Sequence, residues 1–411
     1  MLSIIKSYKY MRKLYESIVE GLLRCSGFIT SIVIILIVVF LFTEAGGLFK
    51  NKEIEDGYVL SVNKENTINQ LNAEQIKNIF DEEITNWKEV GGSNLKIKVF
   101  RLEDLSKYFS EDQLGKNYEN VETCLNKVIN QNKGIIAFIP LQFTKNNFSG
   151  KLLKDANINF SEVFAGKEWF PTATPAPQFG FLPLITGTLW VSFFAILFAL
   201  PFGLSVAIYM SEVTNSRFRN ILKPVIELLS GIPSVVYGFF GLIVIVPLIQ
   251  DVLGLPVGET GLAGSIILAI MALPTIITVS EDAMRNCPRA MREASLALGA
   301  TKWQTIYKVV IPFSISGITS GVVLGIGRAI GETMAVLMVT GNAAVIPHTL
   351  LEPLRTIPAT IAAELGEAPA GGAHYEALFM LGVVLFFITL IINSTVELVS
   401  SKMTFNNKIK H

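Results

Sequence analysis

The chain has 411 residues, of which 51% are hydrophobic and 17% charged, and its mean hydropathy is +0.49. This composition is too apolar for an ordinary soluble domain of that size and indicates a membrane protein. Basic and acidic residues both number 34, so the net charge of zero gives no reason to expect nucleic acid or an anionic surface as a partner.

The first predicted element is a transmembrane helix over residues 27 to 42, GFITSIVIILIVVFLF. A basic flank precedes it, consisting of Lys6, Lys9, Arg12, Lys13 and Arg24. Such a flank is also typical of a signal peptide, but no A-x-A-like cleavage site follows, and the apolar run extends to about the 20 residues that a span needs. We therefore predict an uncleaved first span within a unit comprising residues 1–49.

Residues 50–175 are predicted to form a soluble α/β insert between the first and second spans. Most of this stretch is rich in Lys, Asn, Glu and Asp. The segment NAEQIKNIFDEEI places Ile76, Ile79, Phe80 and Ile84 at helical spacing. Two short apolar runs, KIKVF at 96 to 100 and GIIAFI at 134 to 139, are typical of buried strands.

The remaining residues, 176–411, are predicted to form a five-helix core. Spans are expected at 184–208, 225–249, 261–281, 311–340 and 376–400. Pro201, Pro233 and Pro274 fall inside three of them, and membrane helices tolerate the resulting kinks or breaks. With the first span, the sequence predicts an all-α polytopic membrane protein with six transmembrane helices and a small α/β insert.

Positive charge alternates from loop to loop along the core. One set of segments carries Arg217, Arg219, Lys223, Arg285, Arg289, Arg292, Lys302, Lys308, Lys402, Lys408 and Lys410. The alternate loop near 250 to 260 has no Lys or Arg, and the loop near 341 to 375 has only Arg355. By the positive-inside rule, both termini and the 283–310 loop are cytoplasmic and the insert is extracytoplasmic.

The chain carries no pattern for a metal or a nucleotide. Its three cysteines and three histidines are scattered without paired ligand spacing, so we expect neither a metal site nor a cofactor. No G-x-x-x-x-G-K-S/T segment occurs, so any ATP must be bound and hydrolysed by another chain. We therefore do not expect the chain itself to be an enzyme.

The predicted cytoplasmic loop reads EASLALGATKWQTIYKVVIP, from Glu293 to Pro312. Small residues such as Ala294 allow helices to approach closely, Gly299 suits a tight turn, and Trp303 suits an interface. A simple helix-turn-helix, or a DNA reader of that shape, is the alternative. Tethering between two spans at the membrane face argues against the DNA reader.

This loop resembles the coupling motif of binding-protein-dependent ABC importer permeases, E-A-A, three residues, G, nine residues, then I-x-L-P. Glu293, Ala294 and Gly299 match, Ser295 replaces the second Ala, and the ending is conservative through Pro312. In that family the loop forms a helix, a turn at the glycine and a second helix that dock in a groove of the ATPase. The resemblance implies the type I ABC importer permease fold and assigns ATPase coupling to Glu293, Ala294, Gly299, Trp303 and Pro312.

A second constellation, GIGRAIGETMAV, lies at 325 to 336 inside the fifth predicted span. Arg328 and Glu332 are four residues apart and are predicted to share a helix face and pair. Glycines at 317, 321, 325, 327 and 331 are predicted to permit close packing. Two interpretations stay open: a buried pair that only fixes packing, or an Arg328 that compensates a translocating anion while Glu332 orients it or accepts a proton.

The RAIGET segment resembles the phosphate-transporter permeases, in which the matching arginine and glutamate are implicated in phosphate movement. The approach to the second span, FAGKEWFPTATPAPQFGFLPLITGTL at 164 to 189, looks like the PstC-type subunit rather than its PstA-type partner. The resemblance covers residues 160 to 400 and implies a pathway for phosphate that includes Arg328, Glu332 and Thr333. It also implies a bacterial cell membrane, a PstA-type second permease subunit, a cytoplasmic ATPase dimer and an extracytoplasmic phosphate-binding protein.

The insert resembles part of that phosphate-binding protein over residues 75 to 101 and 134 to 140. The family's serine, glycine and threonine run after the arginine is replaced by Leu102, Glu103 and Asp104, whose carboxylates repel an anion. The length supplies about one lobe rather than a two-lobed clamp. We predict a degenerate lobe that docks the binding protein or gates the pathway, with an inert insertion as the open alternative.

Two other functions compete with a phosphate permease. A permease for sulfate or molybdate is disfavoured by RAIGET, although spacing alone does not rank oxyanions of similar size. A membrane receptor with an extracytoplasmic sensing domain has no need of the coupling loop, and the tail after residue 400 is too short for an output domain.

Overall fold

The computed structural model describes residues 2–55, 57–115, 119–144 and 148–409. Within these ranges, six helices are long and apolar enough to cross a membrane, which agrees with the predicted number. They run over Tyr15–Lys50, Leu182–Val213, Ser234–Leu253, Gly261–Arg285, Lys302–Gly331 and Ala373–Leu398. The side chains of Lys6, Lys9, Arg12, Lys13, Lys402 and Lys408, with Lys410 and His411, lie outside the described part.

The helices of the membrane region are numbered with those of the insert in chain order. The first is α1 (Leu2–Gly47), which continues into a 3-10 turn at Leu48–Lys50. Those after the insert are α7 (Leu182–Ile208), α8 (Ser216–Ser230), α9 (Ser234–Phe240), α10 (Val246–Leu253), α11 (Gly261–Arg285), α12 (Arg289–Ala297), α13 (Lys302–Thr305), α14 (Ile311–Gly331), α15 (Met334–Val339), α16 (Ile357–Glu364) and α17 (Ala373–Ile409). Three short segments are π-helical. Tyr209–Val213 extends α7, Gly241–Ile245 joins α9 to α10, and Ile306–Val310 joins α13 to α14.

Helix α11 is at the centre of the bundle. Of its most apolar window 61% is buried, against 22–33% for the other spans of the core and 0% for the first span. Thr260 caps its start, because the Thr260 side chain accepts a hydrogen bond from the backbone N–H of Ala263. It packs against α7 and α14, and Pro274 lies inside it as predicted.

The first span lies at the edge of the bundle and packs along α17. Phe40 meets Phe379 edge to face, and Phe42 does the same with Phe386 and Phe387. Most of its large apolar side chains stay exposed, as expected for a helix whose other faces contact lipid. The helix is longer than the predicted 27–42 run.

Two predicted spans have different boundaries in the structure. The span predicted at 225–249 begins only at Ser234, because Pro233 has no N–H and stands as the extended residue before the helix (φ −58°, ψ 141°). The prediction that Pro233 lies inside a span is therefore wrong, and the preceding residues form the separate helix α8. The span predicted at 311–340 stops at Gly331, because Glu332 is extended (φ −71°, ψ 132°).

Residues 51–181, here called the lobe, form an α/β unit around a four-stranded mixed sheet. Its strands are β1 (Tyr58–Val62), β2 (Lys98–Arg101), β3 (Ile135–Pro140) and β4 (Lys151–Leu152), in the order β2-β3-β1-β4. Strand β3 pairs parallel with β2 and antiparallel with β1, while β4 is antiparallel to β1. A two-stranded ribbon, β5 (Trp169–Phe170) with β6 (Gln178–Phe179), leads towards α7.

The lobe helices are α2 (Ala73–Phe80), α3 (Leu105–Tyr108), α4 (Glu111–Leu114), α5 (Val121–Gln131) and α6 (Phe160–Ala165). Helix α2 confirms the predicted periodicity, since Ile76, Ile79 and Phe80 are buried, and Asn72 with Gln75 forms a capping box at its start. Ile84 lies beyond the helix end.

Both predicted strands form, but they differ in burial. Strand β3 is central and its apolar run is buried, whereas β2 lies at the sheet edge and buries only Phe100 of its four residues. An edge strand keeps one side open to solvent, so the prediction of a buried strand at KIKVF is wrong for every residue of β2 except Phe100.

Candidate translocation pathway and coupling loop

The 283–310 loop folds as a helix, a turn and a second helix. Helix α12 ends at Ala297, and Gly299 has φ +86°, a left-handed conformation that costs other residues strain. Thr301 then starts α13 through a capping box with Gln304. The predicted helix-turn-helix is confirmed, and Gly299 makes the turn as predicted.

Large apolar side chains of this loop point outwards. Leu298 is 89% exposed and Trp303 64% exposed, a high degree of exposure for leucine and tryptophan. Tyr307, Leu296 and Met291 are also exposed. Exposed apolar side chains of this kind are typical of an interaction surface. Of these five residues, only Trp303 was predicted from the sequence, because apolar residues in short amphipathic helices usually occupy core positions.

The five predicted coupling residues divide into two groups. Glu293, Ala294, Gly299 and Trp303 are all exposed on the helix-turn-helix. Pro312 is half-buried in the first turn of α14, directly after the π-helical segment Ile306–Val310. Pro312 is therefore the one member of this set of five that is not exposed.

Arg328 and Glu332 do not pair in the way predicted. Arg328 lies in the last turn of α14, but the helix ends before Glu332, whose backbone is extended. Beyond Glu332 the chain leaves the helical path, and the Glu332 carboxylate turns towards backbone N–H groups on that side of the break. In the part of the chain that the structure describes, no hydrogen bond or ion pair joins the two side chains, so the predicted pair is wrong.

Glu332 instead caps the helix that follows the break. Its Oε1 accepts hydrogen bonds from the backbone N–H groups of Thr333 at 3.0 Å and of Ala335 at 3.4 Å, which satisfies donors at the start of α15. The Thr333 hydroxyl donates to the carbonyl oxygen of Gly331 at 3.3 Å. Half-buried Arg328 has no hydrogen-bond or ion-pair partner among the described residues.

A second helix break faces this one. Helix α9 begins after Pro233 and packs closely on α15, since a Cβ at Gly238 would lie 2.9 Å from the Cα of Ala335. The Tyr237 hydroxyl donates to the carbonyl oxygen of Leu229 across the break. Arg328 therefore lies where two interrupted helices meet, a feature typical of substrate pathways in membranes.

Three of the five glycines in α14 make the predicted close contacts. A Cβ at Gly317 would lie 2.3 Å from the Cβ of Ala283, and Gly321 and Gly325 contact α11 similarly. Gly327 and Gly331 have open space where a side chain would project. The glycine stripe therefore packs α14 on α11 only at positions spaced four residues apart.

Helix α8 is fastened to α11 by a buried carboxylate. Glu281 is 0% exposed, and its carboxylate lies 2.8 Å from Lys223 Nζ, 3.8 Å from Arg219 Nε and 3.7 Å from Arg285 Nη1. Burial acts to lower the pKa of Lys223, but hydrogen bonds to Asp282 and Glu281 hold it above its usual value. These cations thus neutralise a buried acid. The positive-inside rule had used the same residues only to predict the orientation of the chain in the membrane.

Within the lobe, the backbone N–H of Arg101 donates to a carboxylate of the lobe itself. The Oδ2 atom of Asp104 accepts the backbone N–H of Arg101 at 2.8 Å, and its Oδ1 lies 2.6 Å from Lys107 Nζ. A carboxylate of the lobe itself thus accepts the hydrogen bond of the Arg101 amide.

The lobe is attached to the core through Glu364 of α16. Its carboxylate accepts from the Trp169 indole at 3.0 Å and contacts the side chains of Arg355 and His374. Burial acts to raise the pKa of Glu364, but the hydrogen bonds from His374 and Trp169 and the charge of Arg355 hold it below its usual value. The Asn51 side chain makes a further link by donating to Glu376.

The two chain segments that connect the lobe to the membrane meet at a pair of carboxyls. Glu53 in the first segment is 3% exposed, and its Oε2 has no hydrogen-bond partner among the described residues. Burial, followed by the charge of Glu162 in the second segment, raises the pKa of Glu53 to about 8. A cavity of about 350 Å³ lies beside the pair. Across the described ranges, no group of three or more His, Cys, Asp and Glu side chains is placed to hold a metal ion.

Residues 199–405 match the family model described as the binding-protein-dependent transport system inner membrane component. The chain belongs to this family of transport permeases. The predicted resemblance is confirmed, and so is the predicted fold class of a six-span permease with an α/β insert. Residues 43–176 separately match the model of a PBP superfamily domain, which covers the lobe.

This chain covers most of the length of the curated relatives that it matches. The permease is 41% identical over 241 residues to the probable ABC transporter permease protein YqgH of Bacillus subtilis, covering 59% of this chain and 78% of the relative. It is 37% identical over 264 residues to the phosphate transport system permease protein PstC of Mesorhizobium japonicum, covering 60% of this chain and 79% of the relative. Among solved structures, an inward-facing methionine ABC transporter aligns at 19% identity and a TM-score of 0.43, covering 54% of this chain and 96% of that one.

Proposed function

We propose that this permease is the PstC-type subunit of an ATP-driven phosphate importer in the bacterial plasma membrane. The observation that carries the phosphate assignment is the 37% identity to a phosphate transport permease over 79% of its length. The RAIGET segment and the approach to the second span support the same substrate.

Arg328 is proposed as the anion-binding residue of the pathway. Its guanidinium has no carboxylate partner in the described chain, so its planar fork of donors is free to meet two phosphate oxygens at once. Glu332 and Thr333 line the adjacent break, where Glu332 holds the start of α15 in place. Capping keeps the Glu332 carboxylate from neutralising Arg328.

Energy is proposed to enter through the helix-turn-helix. A cytoplasmic ATPase dimer, which binds and hydrolyses ATP, docks on Glu293, Ala294, Gly299 and the exposed Trp303. Pro312, in the first turn of α14, lies on the helix that carries the movement into the membrane. A PstA-type second permease subunit completes the pathway. An extracytoplasmic phosphate-binding protein delivers the substrate, and alternating access moves it across the bilayer.

The proposed arrangement follows the three predicted units, 1–49, 50–175 and 176–411. Both termini and the 283–310 loop are cytoplasmic, and the lobe is extracytoplasmic. We assign to the lobe the docking of the binding protein rather than phosphate binding, because Asp104 already occupies the amide of Arg101. The attachment through Glu364 would place a docked protein next to α16 and α17.

The test is uptake by the complex reconstituted in vesicles with its binding protein and ATPase. We expect the vesicles to take up phosphate as ATP is hydrolysed, and we expect no uptake of sulfate. Arg328→Gln is expected to abolish uptake while the complex still assembles, and Arg217→Gln, which removes an exposed charge on α8, is the control. Uptake of sulfate in place of phosphate, or normal uptake by Arg328→Gln, would refute the assignment.

A further inference from the structure

One guanidinium in the coupling loop is bonded to the end of a transmembrane helix. Arg292 lies in α12, and it donates to the carbonyl oxygens of Cys287 at 2.8 Å and Met284 at 2.9 Å. Met284 belongs to the last turn of α11, whose final carbonyls lack partners within the helix. A cation at this position both satisfies the carbonyls and complements the helix dipole. Arg292 thus fastens α12 to the central helix of the bundle.

The same guanidinium also reaches a second span. Its Nη2 lies 2.7 Å from Oε1 of Glu212, and the two side chains are 21% and 9% exposed. Glu212 belongs to the π-helical segment that continues α7. Since solvent screens this pair poorly, removing one partner leaves the other charge in a shielded site, which is costly.

Little else holds α12 in place. None of its residues is buried. Its other side-chain hydrogen bond in the described chain joins the hydroxyls of Ser295 and Thr305 at 2.9 Å, and that bond leads to α13 rather than to α7 or α11. Arg292 is therefore the one side chain of α12, within the described residues, that makes polar contacts to these two spans.

The position of this contact suggests a mechanical role. Arg292 directly precedes Glu293 in the motif that we place against the ATPase, so it moves with that surface. On its other side, α7 and α11 pack together, and α11 also packs on α14, which carries Arg328. A displacement of α12 reaches α7 and α11 only if the contacts of Arg292 with these two helices persist during the movement.

We propose that the Arg292–Glu212 pair transmits the movement of α12 to α7 and α11, so that both residues position the spans during each ATP cycle. Neither side chain touches the substrate or the nucleotide. The proposal rests on the proposed importer function and deepens it by naming the residues that convert ATPase docking into helix movement. It predicts that losing the pair separates hydrolysis from transport, since the exposed docking surface remains intact.

The experiment measures phosphate uptake and phosphate-stimulated ATP hydrolysis in the same vesicles containing the complete importer. We expect Arg292→Gln and Glu212→Gln each to lower the phosphate moved per ATP by about tenfold, within the usual range of coupling between sites. Combining the two substitutions is expected to lower it no further, because either one already removes the pair. Arg217→Gln serves as the control for loss of one positive charge.

Each outcome decides the proposal. An unchanged ratio of phosphate to ATP in either single variant would overturn it, as would independent losses that multiply in the double variant. If Arg292→Gln does not assemble because α11 loses its cap, Glu212→Gln keeps that cap and tests the proposal by itself. A wild-type complex that neither moves phosphate nor hydrolyses ATP in response to it would instead refute the importer function.

Discussion

The indole Nε1 of Trp169 lies 3.0 Å from a carboxylate oxygen of Glu364, a residue 195 positions further along the chain. Trp169 belongs to the ribbon at the end of the lobe, and Glu364 ends the short helix α16. Trp169 is 1% exposed, so the hydrogen bond is shielded from water. The lobe is thus fixed to the membrane core by a buried polar contact as well as by the chain itself.

Replacing Glu364 with Gln is expected to loosen this attachment. The amide cannot form the ion pair with Arg355 and makes weaker hydrogen bonds with Trp169 and His374, so we expect a loss of about 1–3 kcal/mol, as for other buried hydrogen bonds to charged groups. Thermal unfolding of the purified permease in detergent measures the effect. Glu367→Gln, at an exposed position nearby, is the matched control and should leave the midpoint unchanged.

The same contact makes a prediction for acid pH. Because the folded structure lowers the pKa of Glu364 below its usual 4.5, its contribution to stability is present above that value and is lost as pH falls through the lowered pKa. Wild type and Glu364→Gln should therefore converge in thermal midpoint on acidification. A difference that stays constant down to the lowest pH would contradict the assignment.

Glu53 predicts the opposite dependence on pH. Its pKa is raised from 4.5 to about 8, so the folded protein keeps a proton that the unfolded chain releases. The contribution of this group is full below about pH 4.5 and falls as pH rises towards 8. Glu53→Gln mimics the protonated acid and is expected to stabilise the permease at pH 8 by about 1 kcal/mol or more. The measurement is the thermal midpoint from pH 5 to 9, with exposed Glu55→Gln as the control; equal slopes for wild type and Glu53→Gln would sink the prediction.

Gly299→Ala tests the turn of the coupling loop. A Cβ would meet no atom within 4 Å, so the expected penalty comes from the φ of +86° alone and amounts to about 1–2 kcal/mol. We expect weaker association with the ATPase subunits and proportionally lower uptake, measured by co-purification and transport. Gly27→Ala, in the exposed part of α1, adds the same methyl group without a positive φ. Full ATPase binding by Gly299→Ala would show that the turn is not required.

Gly317→Ala and Gly327→Ala separate the two faces of α14. The first substitution places a Cβ 2.3 Å from that of Ala283 and is expected to cost about 1–3 kcal/mol, because α11 and α14 must move apart. The second meets open space and should be stable. Comparing the thermal midpoints of the two variants checks the register of α14 on α11, and equal midpoints would contradict it.

Local and periodic signals were sufficient for much of this protein. Long apolar runs predicted the six spans, because a bilayer imposes a length on any helix that crosses it. The helix-turn-helix around Gly299 followed from a short motif, since a positive φ and a capping box depend on neighbouring residues only. The Ile76, Ile79 and Phe80 face of α2 followed from helical spacing in the same way.

The partners of charged side chains depended on the tertiary structure. Spacing alone placed Arg328 beside Glu332, but the break after Gly331 moves Glu332 to the cap of α15 and leaves Arg328 free. Arg292 contacts Glu212 across 80 residues, and no local pattern connects the two. A helix break costs only a few backbone hydrogen bonds, so whether it occurs is decided by the helices packed around it.

The sequence by itself therefore determined the membrane class, the number of spans, the coupling motif and the family, because these depend on composition and on short segments. Only the tertiary structure decided which glycines of α14 face α11, where the fifth span breaks, and how the lobe is fastened through Glu364. The physical reason is that ion pairs and close helix contacts join residues far apart in the chain, and their geometry exists only once the bundle has packed.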